Sequence, residues 1–167
     1  MEEQTDEEYN AIKQQELSDR VSAQLKIYEG KNYLEQYALY MLRVQMYEIS
    51  LKQDLQKRFG VAEEKANRMN LMSIYRYFVE QDIRAHPILY ANIQDIAKQR
   101  NCMAHDFLAT AGTMIDLAGF AAMRLFEKDL SRWAWELELA YQQYSMLKET
   151  DMLYVDYGCK PEIKSQS

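Results

Sequence analysis

Only five glycines and two prolines interrupt a chain of 167 residues, and that scarcity limits the fold more than any other feature. An all-β sandwich needs many turns, and turns draw on glycine and proline. A disordered chain is poor in apolar residues, whereas 48% of these residues are hydrophobic. Long helices remain. Gly30 and Asn32 close a first segment near residues 5–28, with apolar positions Tyr9, Ile12, Leu17, Val21, Leu25 and Tyr28. A second helix is expected from Lys31 to Arg58, stopped by Gly60 as a left-handed cap. Between Tyr37 and Tyr47 only Arg43 and Gln45 are strongly polar, which predicts a central helix buried on most sides.

A third helix is expected over 62–82, and Pro87 suits the first turn of a fourth over 87–108. Gly112 and Gly119 mark a looser stretch. The last helix runs over 120–149. Its apolar positions Met123, Phe126, Leu130, Trp133, Leu137, Ala140, Tyr144 and Leu147 alternate gaps of three and four, a seam suited to antiparallel packing. At roughly 150 residues per domain, the whole of 1–167 reads as one domain. The expectation is an all-α, single-domain bundle of about five helices with an irregular tail over 151–167.

Several classes drop out. No apolar run reaches the 18 or so residues of a membrane span. The acidic start has no apolar signal region. Cys102 and Cys159 stand far apart, so two reduced thiols in a cytoplasmic protein are expected. His86 and His105 form no zinc spacing with cysteines or carboxylates, and no glycine-rich phosphate loop or nucleophile elbow occurs. No metal or cofactor is expected.

The net charge of −6 argues against a nucleic-acid binder, yet its distribution weakens that argument. Of 26 acids and 20 bases, residues 1–20 hold seven acids and two bases. The rest of the chain, with 19 acids and 18 bases, is near neutral. The N-terminal segment is therefore either a solvated first helix or an acidic arm that meets a basic partner. Tyr33, Tyr37, Tyr40 and Tyr47 fall on one face of the second helix. Tyrosine suits a core rim, and it is also enriched at partner and dimer interfaces.

One constellation carries chemistry: Arg100-Asn101-Cys102-Met103-Ala104-His105. Asn101 and His105 are four apart and share a helix face. Arg100 is about 140° round from His105, and its long side chain can bend back toward the imidazole. A titratable ring, a fixed cation and a polar group to orient the ring are components for proton transfer at a phosphate. Glu48 lies in a nearly all-apolar stretch, where an unpaired carboxylate is costly, and Arg100 is a candidate partner. Such a pairing would make the motif a structural polar core.

The Arg100–His105 stretch resembles the signature of the HEPN superfamily: Arg, four to six residues, His, often with Asn directly after the Arg. The resemblance implies a compact helical bundle, commonly a dimer through the motif helix. It implies a metal-independent endoribonuclease of a toxin–antitoxin or defence system. His105 would be the acid/base, Arg100 would hold the scissile phosphate and Asn101 would support the pair. The partner would be RNA, without DNA specificity. Two residues after the His, some toxins of the family carry a tyrosine that is inactivated by nucleotide transfer. Here that position is Phe107, so that regulation is not expected. The alternative is a non-catalytic HEPN-like immunity protein or antitoxin that neutralises a cationic nuclease toxin, in keeping with the acidic arm and tyrosine face.

Overall fold

Three of the helices start at a side chain that accepts from their own first-turn backbone: Asn32, Asn70 and His86. A computed structural model describes residues 6–104 and 120–154, with side-chain surroundings for 10–104 and 127–154. These residues form six α-helices and no β-strand, so the fold is all-α. They are α1 (Asp6–Leu25, continued by a 3-10 turn at Lys26–Tyr28), α2 (Tyr33–Phe59), α3 (Glu63–Arg68), α4 (Leu71–Glu80), α5 (Pro87–Cys102) and α6 (Phe120–Glu149). Among the described residues, no helix is long and apolar enough to cross a membrane.

Asn32 and Glu35 form a capping box at α2: Asn32 Oδ1 accepts from the Glu35 N–H at 3.0 Å, and Glu35 Oε2 accepts from the Asn32 N–H at 2.8 Å. Gly60 ends the helix at φ 64°, where a side chain would be strained. The expected single helix over 62–82 is instead two. Asn70 is extended, and its Oδ1 accepts from the Ser73 N–H at 2.9 Å. That bond starts a new helix where the old one would have passed. The fourth helix, expected to reach residue 108, leaves regular α-helix after Cys102 and widens into a π turn at Met103–Ala104. Residues 105–108 lie outside the described residues.

α1 packs along α6, α2 lies against α6, and α5 bridges α4 and α6. The core joins Tyr40, Val44, Tyr47, Leu51 and Leu55 of α2 to Leu130, Leu137, Ala140 and Tyr144 of α6. Ile74 and Phe78 of α4 and Leu89, Ile93 and Ile96 of α5 close it. Of the seam read from α6, Leu130, Leu137, Ala140 and Tyr144 are buried, and Trp133 and Leu147 are half-buried against the core. The side chains of Met123 and Phe126 lie outside the described residues, and Ala134 is buried besides. The helix expected to be buried on most sides leaves one side open: Leu34, Leu42, Met46 and Ile49 of α2 are exposed along it. After α6, residues 151–154 are non-helical, with Asp151 and Met152 exposed, and residues 155–167 lie outside the described residues. His86 N–H donates to the Leu153 carbonyl at 2.9 Å, and Leu153 and Tyr154 are buried.

Candidate functional site

The last turn of α5 is held on two sides before Arg100 leaves it. Ile96 and Ala97 are buried below, and Met103 is buried beyond. Gln99 is clamped between neighbours. Tyr40 of α2 donates to its Oε1 at 3.2 Å, and its Nε2 donates to Glu136 of α6. Burial, together with the nearby Tyr28 and Glu136, pushes the Tyr40 phenol above its ordinary range, so it stays a donor. This clamp fixes the direction of the two residues that follow.

Arg100 is half-buried and Asn101 exposed, and Arg100 Nη1 donates to Asn101 Oδ1 at 3.4 Å. Both line a small surface cleft with Glu48, Asn70 and Leu71. Its volume is about 30 Å³, room for roughly one water. A phosphate would therefore meet Arg100 at the surface and not inside a pocket. Three of the residues read from the sequence, Glu48, Arg100 and Asn101, are thus brought together. The candidate Glu48–Arg100 ion pair does not form. Glu48 instead meets Lys52, one turn on, at 2.7 Å, and the sequence signal was their i,i+4 spacing. Asn70 was not anticipated here, although an Asn ahead of an apolar run is a helix-start signal.

His105, the acid/base of the expected site, lies outside the described residues, as do Phe107 and Cys159. The tyrosine face divides. Tyr33, Tyr40 and Tyr47 are buried in the core, and Tyr37 is half-buried. Core packing is therefore the role of these three rings, and in this conformation they are not a partner surface. Tyr47 meets Tyr141 and Tyr144 edge-on at 5.9 and 5.7 Å. Among the described residues, no group of three His, Cys, Asp or Glu side chains is placed to hold a metal ion.

The buried charges were not singled out by sequence reasoning. Glu138 of α6 is fully buried, and both its oxygens accept from Arg43 of α2, at 2.6 and 2.5 Å. Asp54 is buried too. It accepts from Tyr144 at 2.7 Å, Tyr154 at 3.2 Å and Lys148 at 2.5 Å. Both sets are fully bonded and tie one helix to another, as structural polar groups do. Arg100 differs from them: it is half-exposed, and among the described residues its hydrogen bond is to its neighbour Asn101. No known protein family, curated protein or solved structure matches this chain.

Proposed function

We propose that this chain is a HEPN-type, metal-independent endoribonuclease of a toxin–antitoxin or defence system. The observation that supports this reading is that Glu48 is neutralised by Lys52, leaving the Arg100 guanidinium beside Asn101 at an open surface. A cation held in place but not consumed by a buried carboxylate is suited to a phosphate. Arg100 would hold the scissile phosphate and balance the charge of the transition state. His105 would exchange the protons as the ribose 2′-OH attacks the adjacent phosphorus. The P–O5′ bond breaks, giving a cyclic phosphate and a 5′-hydroxyl. A second copy of the motif, across a dimer, would complete the RNA cleft.

The test is incubation with total cellular RNA in EDTA, beside His105→Ala and Arg100→Ala. Wild type should leave cyclic-phosphate ends. His105→Ala should lower the rate by about 100-fold or more, with helical circular dichroism unchanged. A folded wild type that leaves RNA intact overturns the proposal.

A second reading rests on a different observation. Leu34, Leu42 and Ile49 are 68%, 51% and 52% exposed, and their spacings of eight and seven put them on one side of α2. An apolar stripe on a chain whose sequence begins with an acidic segment suits a protein partner of positive charge. That is the immunity-protein reading. It expects a 1:1 complex with a basic nuclease domain, weakened by salt and by Leu42→Glu.

A further inference from the structure

We infer that the cleft between α1, α6 and the start of α5 binds a small carboxylate with an apolar body. It lies at the other end of α5 from Arg100, about 20 Å along the helix, and does not depend on the nuclease reading. Its volume is about 360 Å³, within the range of small-molecule sites. Leu17 of α1, Ile88 of α5 and Met146 of α6 give it apolar walls.

Five polar side chains line the same cleft: Asn10 and Gln14 carry amides that can present either end, and the other three present donors. His86 caps α5: its Nδ1 accepts from the Ile88 N–H at 3.3 Å. A ring nitrogen that accepts carries no proton, so the neutral imidazole holds its hydrogen on Nε2, a donor. Gln143 of α6 uses its Oε1 to accept from Asn92 Nδ2 at 2.9 Å. The end of the amide left over is the NH₂, again a donor. Lys13 of α1, which also meets Glu16 at 3.2 Å, adds an ammonium group to the lining. Three donors over apolar walls ask for a head group that only accepts. An ionised carboxylate is that group, since an alcohol or a primary amide would bring hydrogens of its own.

The test is a titration of the full chain with octanoate, and separately with 3-phenylpropionate, followed by NMR at the His86 ring nitrogens and the Gln143 side-chain amide. Octanol has the body without the charge, and acetate the charge without the body. Saturable shifts at both residues with at least one acid are expected, with octanol and acetate binding at least about tenfold more weakly. Whichever acid binds better identifies a straight or an aromatic body. Gln143→Glu keeps the acceptor for Asn92 and replaces the donor with a repelling carboxylate. It should weaken the acid by about tenfold or more and leave octanol unchanged. The inference is overturned by the absence of saturable shifts with either acid. It is also overturned if octanol binds as tightly as the acids, or if Gln143→Glu keeps full affinity.

Discussion

Glu138 and Arg43 show what a charge costs inside this core. Glu138 is fully buried, and among the described residues its hydrogen-bonding compensation is the two-pronged contact with Arg43. Arg43→Ala should therefore leave an uncompensated buried carboxylate and lower stability by about 3–5 kcal/mol. That is a large share of the roughly 5–15 kcal/mol that a domain possesses. Arg43→Met with Glu138→Leu removes both charges at similar volume and should cost far less. Urea unfolding of the two variants measures the difference, and equal losses would contradict it. The sequence carried a signal for this pair, since Arg43 interrupts the apolar stretch from Tyr37 to Tyr47 and a charge there needs a partner. Glu48 carries the same signal, but an i,i+4 lysine answers it locally. Nothing in linear spacing says that Arg43 reaches across to residue 138 while Glu48 stays on its own helix. For the same reason Arg100 and Asn101 were legible as neighbours, but the emptiness of the Arg100–Glu48 pairing was not.

Helix limits follow from single side chains. Gly30, Asn32, Gly60 and Pro87 were all readable as punctuation, because each acts on the backbone at its own position. Asn70 was passed over, because Met69-Asn70-Leu71-Met72 continues an apolar pattern and the amide can either face solvent in a helix or cap a new one. The choice belongs to tertiary packing: Leu71 and Ile74 are buried by the new direction of α4. Asn70→Ala should remove the bonds from the Ser73 N–H and hydroxyl and cost about 1 kcal/mol in thermal or urea unfolding. Asn70→Gly, which keeps the extended backbone easily, should cost only a few tenths. A loss from Asn70→Gly as large as from Asn70→Ala would place the role of Asn70 in the cleft it lines and not in the cap.

Across the molecule, buried phenols link α2, α6 and the segment after it into one unit. Tyr40 and Tyr47 of α2, Tyr144 of α6 and Tyr154 are each nearly or fully inaccessible. Burial raises all four above the ordinary phenol range, and at Tyr144 and Tyr154 the Asp54 carboxylate adds to the shift. The sign is fixed by linkage. An unfolded chain releases these protons near pH 10, while the folded chain retains them. The stability they represent is fully present below about pH 10 and is lost as pH rises toward the folded values. These four groups alone give a slope of roughly 5 kcal/mol per pH unit, which exhausts a typical domain within about one to three units. The buried Tyr28 and Tyr33, raised in the same way, steepen it. Alkaline unfolding should therefore be steep, with phenolate absorbance stepping up as helical circular dichroism disappears. Tyr154→Phe removes one of the four protons and should make the transition shallower and move it upward in pH. A smooth phenolate rise through the ordinary range, with helicity intact, would mean that these rings reach solvent without unfolding. The α2–α6 contact would then not be the single cooperative core that Tyr47, Tyr144 and Asp54 describe.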